Sequence, residues 1–444
     1  MNGLTRTVPG VALGVLLACG SASALPHAEF VNIGSFPDAP SQMNARAVTA
    51  DKSTVIAEGV VHAGQGTIVV HFDMDTGAFT PLPGTGGDMR TASHDGSVIV
   101  GWTSANDPID PTRRGAFGYY HRLGDPESTI VPNQIFNAIS NAWSVSANGR
   151  YVVGYRNFTR QFNPCCATFM DGYIWDLQTM NEPLNLPDPA GTGRFATTGV
   201  SNDGQFMAGF AEFPDDSSVA VVWAADGSSA QVQVPDALSS RFLVMSANGR
   251  YAAGFALMHL GVGFDFREDG FIYDLQTQTI TMMGQTPAGF KGAVPSWISD
   301  DGKTVVGTLN AELFYDFPFG AAFIWTEEHG LEKLADHILN RHQGVDPSEF
   351  RDLVTGYGAS ADGSVVVGVG RDQDWNRFPY AVRLGVDAPS CPADLTGDGV
   401  VDADDFFLFL QLFASGDSRA DFNNDGVIDA DDFFAYLTAF AAGC

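Results

Sequence analysis

The sequence predicts an all-β chain that ends in a small helical domain, with seven repeats forming a seven-bladed β-propeller. Three observations predict this architecture. A turn of the form Ser-x-Asp/Asn-Gly recurs between residues 40 and 385. Each turn is followed by an apolar strand, which in most copies ends in glycine. Residues 391–444 contain two copies of one acidic loop, each followed by an aromatic-rich segment.

The repeats define the blades. Their turn positions are 51, 95, 148, 203, 248, 301 and 362, spaced by 44 to 61 residues. The clearest copies are Ser146–Tyr155, Ser201–Phe210 and Ser246–Phe255, whereas Thr49–Gly59 is a degenerate first copy. Asn-Gly and Asp-Gly dipeptides favour tight hairpins, and a period of this length is typical of four-stranded propeller blades. We therefore interpret the Asp-Gly and Asn-Gly pairs as turns rather than as ligand sites.

Two segments complete the predicted ring. The last repeat ends at Ala381–Leu384 with no fourth strand after it, while Glu29–Gly34 precede the first repeat. We predict that Glu29–Gly34 complete the seventh blade, because closure removes exposed sheet edges. Leucine and isoleucine at helical spacing predict a helix over Leu331–Arg341, ended by Gly344 and Pro347.

The two acidic loops run from Asp394 to Asp405 and from Asp421 to Asp432, 27 residues apart. Each has oxygen-bearing side chains at loop positions 1, 3, 5, 9 and 12, a glycine at position 6, and a backbone carbonyl available at position 7. This spacing is typical of EF-hand-like calcium loops, which surround the ion with oxygen atoms. The predicted ligands of two Ca²⁺ ions are Asp394, Thr396, Asp398, Val400, Asp402 and Asp405 in the first loop, and Asp421, Asn423, Asp425, Val427, Asp429 and Asp432 in the second.

The N-terminus predicts export. Arg6, the apolar run Val11–Ala18 and the small-residue site Ala22–Ala24 form a signal peptide over residues 1–24, with lipoprotein processing at Cys19 as the alternative. The predicted domains are then 25–386 and 387–444, in a protein that is secreted or held at the cell surface.

Four cysteines remain after cleavage, so three disulfide pairings are open. A Cys391–Cys444 bridge would join the two ends of the tail. Cys165 and Cys166 are adjacent, and they either form a vicinal bridge or lie unpaired in a loop.

Composition limits the partners. The formal net charge of −29 argues against nucleic acid, because phosphate binding needs basic patches. After the signal segment, no apolar run approaches the length of about 18 residues that predicts a membrane span.

The middle of the chain resembles the HAF-type extracellular repeat proteins of bacteria. The resemblance rests on the Ser-x-Asp/Asn-Gly turns with their trailing Val-Val-Gly and on the Ala-Phe pairs in Gly115–Phe117 and Ala321–Phe323. It implies an exported, propeller-like domain and assigns no reaction.

Residues 391–444 resemble a dockerin domain of the planctomycete-type group, which begins near Cys-Pro, here Cys391-Pro392, and ends in Gly-Cys, here Gly443-Cys444. The resemblance implies calcium-dependent docking onto a cohesin-like receptor. Loop positions 10 and 11, which usually carry hydroxyl groups in dockerins, are Ala403-Asp404 and Ala430-Asp431.

Three functions follow from these features. We favour a non-enzymatic binding or scaffold protein, because the repeats show no site-like break in their symmetry. The second function is a glycan-binding or polysaccharide-degrading protein, since dockerins are commonly fused to such enzymes. Hydrolysis needs a pair of carboxylates, and the candidates lie in long loops: Asp107, Asp110, Asp171, Asp265, Glu268 and Asp269. The third function is a structural component of the cell envelope.

No catalytic or cofactor-binding residue is assigned beyond the calcium ligands. His337 and His342 lack the spacing of a metalloprotease helix, and we interpret them as surface residues. The tryptophans are interpreted as blade-packing anchors, with a sugar platform at the mouth of the ring as the alternative for a few of them: Trp143, Trp175, Trp223, Trp297 and Trp325.

Overall fold

The structure is a computed structural model. It describes residues 25–36, 41–60, 67–82, 87–106, 112, 114–131, 139–161, 166–259, 266–310, 320–346, 348–386, 393, 395–396, 401–423 and 426–442. The signal segment 1–24 and Cys165, Cys391 and Cys444 lie outside the described residues. The chain divides into a repeat unit, Pro26–Ala388, and a tail unit that contains Pro389–Cys444. None of the helices within the described ranges has the length and apolar character that a bilayer crossing needs.

The described part of the repeat unit is mostly β-structure. Its strands are β1 (His27–Asn32), β2 (Ser41–Val48), β3 (Thr54–Val60), β4 (Thr67–Asp73), β5 (Phe79–Leu82), β6 (Asp88–Ala92), β7 (Val98–Asn106), β8 (Arg114–Arg122), β9 (Thr129–Ile130), β10 (Ile139–Val145), β11 (Tyr151–Gln161), β12 (Cys166–Asp176), β13 (Leu184–Asn185), β14 (Phe195–Val200), β15 (Phe206–Glu212), β16 (Ser218–Ala224), β17 (Ser229–Val232), β18 (Ala237–Met245), β19 (Tyr251–His259), β20 (Phe266–Asp274), β21 (Thr279–Met282), β22 (Gly292–Ile298), β23 (Thr304–Asn310), β24 (Ala321–Thr326), β25 (Gly330–Lys333), β26 (Asp352–Ala359), β27 (Val365–Arg371) and β28 (Arg377–Val386).

These strands form small antiparallel sheets. β2 to β5, β6 to β9, β10 to β13 and β14 to β17 each form a four-stranded sheet in chain order. β18 to β21 and β22 to β25 repeat the pattern and are connected by a parallel bridge between Glu268 and Gly292. The last group consists of β26, β27, β28 and β1. The prediction of a mostly β chain with hairpin repeats is therefore confirmed.

One turn type connects the first and second strands of each group. The Ser146 hydroxyl donates to Asn148 Oδ1 at 2.7 Å and accepts from the backbone N–H of Tyr151 at 2.9 Å. Gly149 has φ 71°, which glycine adopts without steric cost. The same hydroxyl bonds recur at Ser93, Ser201, Ser246, Ser299 and Ser360. The degenerate first copy uses Thr49 and places Lys52 at φ 65°. The turn residues thus bond within the turn itself, as the sequence predicts.

Glycine recurs in the second strand of most groups for a different reason. A Cβ atom on Gly209 would lie 2.0 Å from the backbone oxygen of Ala196, and one on Gly154 would lie 1.9 Å from that of Asn141. Gly101, Gly254, Gly307 and Gly368 face the same contact with the first strand of their group. The glycine is therefore required by the close approach of two backbones.

The N-terminal strand pairs with the last repeat. β1 runs antiparallel to β28, with Phe30 opposite Val382. The Phe30 ring packs against Phe350, Phe378 and Tyr380, with ring centroids 5.2 to 6.1 Å apart. The pairing of the N-terminal segment with the last repeat is thus observed, with the strand bounds shifted from the predicted Glu29–Gly34 to His27–Asn32.

Neighbouring groups share their buried faces. Val153 of β11 and Ile174 of β12 form one cluster with Phe195 of β14 and Trp223 of β16. The turns are also joined, because the Asn148 side-chain amide donates to a backbone oxygen one repeat later at 2.8 Å. In the same way β2 packs against β26, β27 and β28. Each group therefore completes its core with residues from the next group.

The predicted helix begins later than expected. α1 spans Leu334–Arg341 and follows β25 directly. Leu331 does not belong to the helix, because it pairs with Trp325 of β24. The apolar residues at helical spacing thus include one strand residue, Leu331, in addition to Leu334 and Ile338, which lie on the buried side of a short helix. The helix ends at Arg341, before Gly344, and Pro347 lies outside the described residues.

The tail unit contains α2 (Ala403–Ser415), a 3₁₀ turn (Ser418–Ala420) and α3 (Ala430–Ala442). Gly416, with φ 68°, caps the C-terminus of α2. The rings of Phe409 and Tyr436 are fully buried and stack in parallel with centroids 4.0 Å apart. These two residues occupy equivalent positions of the duplicated sequence, so the two helices contribute matching rings to one core.

Candidate functional site

The first acidic loop is held by a buried carboxylate at loop position 12. Asp405 is fully buried. Its Oδ1 accepts from the backbone N–H and the hydroxyl of Thr396, both at 2.9 Å, and its Oδ2 accepts from the N–H of Asp402 at 2.9 Å. Asp402 also caps α2 by accepting from the N–H of Asp404 at 2.8 Å. Loop positions 3, 9 and 12 are therefore brought together at the start of α2.

The second acidic loop repeats this arrangement. Asp432 is fully buried and accepts from the backbone N–H groups of Asn423 at 3.0 Å and Asp429 at 2.9 Å. Asp421, at position 1, accepts from the N–H of Gly426 at 3.0 Å. Gly426 has φ 86°, so the tight turn needs the glycine that the loop pattern predicts.

Both buried carboxylates are held in their charged form. Burial opposes ionisation of Asp405, but the backbone N–H of Asp402 and the Thr396 bonds outweigh it and lower the pKa. The N–H groups of Asn423 and Asp429 lower the pKa of Asp432. A carboxylate offers about four acceptor positions, and these bonds, with a further one from the Leu395 N–H to Asp405 and from the Phe422 N–H to Asp432, occupy most of them. Since the donors are all oxygen atoms, the loops fit a hard cation such as Ca²⁺.

The structure describes only some of the remaining predicted calcium ligands. Asp394, Asp398, Val400 and Asp425 lie outside the described residues. Thr396, Asp402, Asn423, Val427 and Asp429 are exposed, and Asp421 is half-buried. Among the residues that the structure describes, no group of three or more His, Cys, Asp or Glu side chains is arranged to hold a metal ion.

Apolar side chains are exposed on the tail unit. Phe407 and Phe434 occupy equivalent positions on α2 and α3 and are 64% and 63% exposed. Leu410 and Val427 are exposed as well. Four large apolar side chains are thus exposed within the described part of this small unit.

The repeat unit contains a cavity of about 500 Å³ between its first strands. Every first strand carries a register shift, and the residue at the shift lines this cavity: Arg46, Arg90, Trp143, Thr198, Leu243, Ser296 and Tyr357. A β-bulge re-aims the side chain of its extra residue. The repeat therefore contributes one bulge residue per group to a common cavity.

Four of these bulge residues, which we call the cationic arc, come from consecutive groups around the cavity: Tyr357, Arg46, Arg90 and Trp143. Arg46 stacks on the Tyr357 ring at 4.2 Å, and Arg90 stacks on the Trp143 ring at 4.7 Å. Arg46 also pairs with Glu58, with Nη2 2.5 Å from Oε1. The remaining three bulge residues are uncharged. The expectation that the repeats show no site-like break in their symmetry is therefore wrong.

The candidate catalytic carboxylates do not form a pair in the described part of the chain. Asp107, Asp110 and Asp265 lie outside it, and Asp171 lies opposite Arg156 in the β11–β12 register. Glu268 is buried, and burial raises its pKa to about 7.

Asp269, the neighbour of Glu268, instead pairs with Arg267, with Nη2 2.7 Å from Oδ2. Adjacent residues of a strand face opposite sides of the sheet, so Glu268 and Asp269 do not converge. No carboxylate is among the described residues that line the cavity.

The histidines and tryptophans are placed as follows. His337 is buried and its Nδ1 lies 3.0 Å from Glu332 Oε2, so its interpretation as a surface residue is wrong. The reason is that α1 turns this side of the helix toward Glu332 of β25. Trp175, Trp223 and Trp325 are buried in inter-sheet clusters, as expected of packing anchors. Trp297 packs partly buried in another cluster, whereas Trp143 lines the cavity.

Sequence reasoning missed the arginines and the tyrosine of the arc. Each bulge residue stands three positions before the serine or threonine that opens its turn. Aligning the repeats at this position gives Arg, Arg, Trp, Thr, Leu, Ser and Tyr in chain order. The residues next to this position vary as well, so the signal is its fixed distance from the turn together with the presence of two arginines there.

The chain matches no family model and no curated protein. Among solved structures, an oligogalacturonate lyase from Vibrio parahaemolyticus is 13% identical, with a TM-score of 0.51 over 80% of this chain and 97% of that chain. An oligogalacturonate lyase in complex with manganese is 14% identical, with a TM-score of 0.49 over 81% of this chain and 98% of that chain. A putative TolB from Agrobacterium tumefaciens is 13% identical, with a TM-score of 0.39 over 82% of this chain and 99% of that chain. The likeness to the Vibrio protein concerns the fold alone, which is β-propeller-like.

Proposed function

We propose that this protein is an exported, non-enzymatic binding or scaffold protein, attached through a calcium-dependent dockerin to a cohesin-like partner or cell-surface assembly. The observation that carries the proposal is the matched pair of buried carboxylates, Asp405 and Asp432, each bonded to positions 3 and 9 of its loop. Such agreement between the copies is expected if both loops close around an ion.

The repeat unit is proposed to be one closed ring of seven blades. The pairing of β1 with β28 supports closure, as does the packing of β2 against β26 to β28. An ion pair joins the first and last turns, with Lys52 Nζ 2.6 Å from Asp362 Oδ2. The contribution of one bulge residue by every first strand also favours a single axis.

The tail is proposed to bind two calcium ions. The ligands would be the side chains at positions 1, 3, 5, 9 and 12 of each loop and the carbonyl groups of Val400 and Val427. When bound, calcium supplies positive charge to a strongly acidic segment and cross-links the loop to the start of its helix. The chain's own bonds orient the position-12 carboxylates, and Asp402 and Asp429 cap α2 and α3.

The exposed apolar side chains of the tail support a docking role. Phe407, Leu410 and Phe434 have no place in the tail core, which is built from Phe409, Tyr436 and their neighbours. Ala403-Asp404 and Ala430-Asp431, at the positions through which dockerins contact cohesins, are exposed as well. We propose that these residues together form the contact surface for a cohesin-like receptor.

A glycan-degrading function remains the second proposal, and Glu268 favours it. Its raised pKa suits a general acid, and its carboxyl group bonds to Asn310, which lines the cavity. Glu268 itself does not line the cavity, and no second carboxylate converges on it among the described residues, so binding without hydrolysis is the function that these residues support best.

The test is a calcium titration of the full chain. We expect millimolar calcium to raise the helical signal at 222 nm and the unfolding temperature of the tail. Asp405→Asn and Asp432→Asn should each weaken calcium binding about tenfold or more, whereas Asp404→Asn, next to the first loop's final ligand, should leave the affinity nearly unchanged. No calcium response in the unmodified chain would reject the proposal.

A further inference from the structure

We infer that the cationic arc binds the carboxylate of a small acidic sugar inside the cavity. This inference rests on the proposed binding function of the repeat unit and names its ligand class. The arc brings two guanidinium groups and two aromatic rings to one side of a single cavity, through four β-bulges at one position of the repeat.

Stacking fixes the two guanidinium planes. Arg46 is held on Tyr357 and bonded to Glu58 through Nε at 2.7 Å and Nη2 at 2.5 Å. Arg90 is held on Trp143. A guanidinium group with a fixed plane presents its N–H donors as a fork, which matches the two oxygens of a carboxylate.

Arg90 is the arginine of the arc that we expect to bind the ligand's carboxylate. It has no ion-pair partner among the described residues, and it is exposed where it lines the cavity. Partial desolvation inside the cavity and the neighbouring charge of Arg46 lower its pKa and outweigh the carboxylates of Glu58 and Asp88, which raise it. A bound carboxylate would relieve this repulsion, whereas a cation would increase it.

The opposite side of the cavity provides space and hydroxyl groups. The other three bulge residues, Thr198, Leu243 and Ser296, carry no charge, and two of them are small. Thr308 and Asn310, on the strand next to that of Ser296, add further groups that can both donate and accept hydrogen bonds. Sugar hydroxyls also donate and accept, so this wall complements a sugar ring better than a purely apolar ligand.

The dimensions indicate a small ligand. A volume of about 500 Å³ lies within the range of about 300–1,000 Å³ that is typical of small-molecule sites. The cavity narrows toward the turns, because six of its residues also line a second cavity of about 100 Å³: Arg46, Thr91, Ser144, Val244, Ser296 and Tyr357. One or two sugar rings, carrying the carboxylate toward Arg90, match this shape.

The experiment is calorimetric titration of the full chain with sodium glucuronate and, separately, with glucose, which differs in lacking the carboxylate. We expect saturable binding of glucuronate and at least about tenfold weaker binding of glucose. Arg90→Gln should weaken glucuronate binding by about 10- to 100-fold, the range expected for loss of a charged hydrogen bond. Arg90→Lys keeps the charge without the fork and should lose less than Arg90→Gln.

The matched control is Arg351→Gln. Arg351 stacks on Trp375 at 3.8 Å in the same way, but neither residue lines the cavity. This variant should bind glucuronate like the unmodified protein. Circular dichroism identifies any variant that fails to fold, and Trp143→Phe serves as a second variant that removes the indole and retains an aromatic ring.

Four outcomes would overturn the inference. The first two are equal affinity for glucose and glucuronate, and no saturable binding of either sugar. The third is unchanged affinity in Arg90→Gln, and the fourth is inorganic phosphate binding as tightly as glucuronate, which would indicate a general anion site. Comparing the sugar titration with the calcium titration separates the two proposals. A chain that responds to calcium but does not bind glucuronate counts against the arc alone. A chain that binds glucuronate but does not respond to calcium counts against the tail alone.

Discussion

The repeat unit and the tail unit are both built from copies of one element, but their copies diverge in different places. In the repeats, the turn serine and the strand glycine recur, while the bulge residue three positions before the serine changes from arginine to leucine. In the tail, the residues at most loop positions and many of the aromatic residues behind them recur. Agreement therefore marks what every copy needs, and divergence marks what a single shared site needs.

Agreement in the repeats has a structural explanation. The turn hydroxyls bond within their own turns, and the strand glycines make room for a backbone oxygen. Neither the turn serines nor the strand glycines are among the residues that line the cavity. The bulge residue escapes this constraint, because its side chain enters the cavity and contacts other repeats.

Agreement in the tail is of two kinds. Phe409 and Tyr436 are buried and stacked, so packing explains why both copies carry an aromatic ring there. Phe407 and Phe434 are identical and exposed, so packing does not explain them. The first kind serves the fold, and the second kind serves the contact surface that we propose.

The largest expected effect separates these two kinds of agreement. Phe409→Ala should lower the free energy of unfolding of the tail by about 3–5 kcal/mol, because it leaves a cavity against Tyr436. Phe407→Ala, on the same helix, should change it by no more than about 0.5 kcal/mol. Chemical unfolding in calcium, followed at 222 nm, measures both. Similar losses for the two variants would mean that Phe407 serves the fold, and the comparison would fail.

The next effect concerns the repeats. Gly209→Ala should destabilise the repeat unit by about 2–3 kcal/mol, because the added methyl group would meet the backbone oxygen of Ala196 at 2.0 Å. The control is Ala57→Gly, at the equivalent position of the first repeat, which should cost about 0.5–1 kcal/mol through backbone entropy. Chemical unfolding followed by tryptophan fluorescence reports the change. A fully stable Gly209→Ala variant would show that close backbone approach does not explain this glycine.

The sequence predicts the parts of the fold that depend on local chemistry. Asn148-Gly149 and its counterparts specify their turns, and Glu29–Asn32 lie in a strand that pairs with the last repeat. The start of α1 was misplaced because Leu331 satisfies helical spacing while pairing in a strand. Arg90 was missed because a β-bulge shifts the alternation of side chains, and alternation alone does not reveal which residue enters the cavity.

The smallest expected effect compares two nearly identical repeats. Arg150 pairs with Asp176 at 2.7 Å, and Arg250 pairs with Asp274 at 2.9 Å. The arginine in each pair lowers the pKa of its aspartate. Asp176 is the more buried of the two and also accepts a bond from Thr179. We therefore expect Arg150→Gln to lower the unfolding temperature at pH 7 by a few degrees at most, and Arg250→Gln by less.

The pH dependence follows from the direction of these pKa shifts. An aspartate whose folded pKa lies below its unfolded value of about 3.9 stabilises the fold above that pH, and this contribution is lost as the pH falls below it. The difference between each variant and the unmodified protein should therefore shrink below about pH 4 in thermal scans. Arg114→Gln removes the same charge from an arginine that has no carboxylate partner among the described residues, so it should show neither the loss nor the pH dependence. Equal losses in all three variants at every pH would mean that total charge, rather than the duplicated ion pair, sets the stability of these repeats.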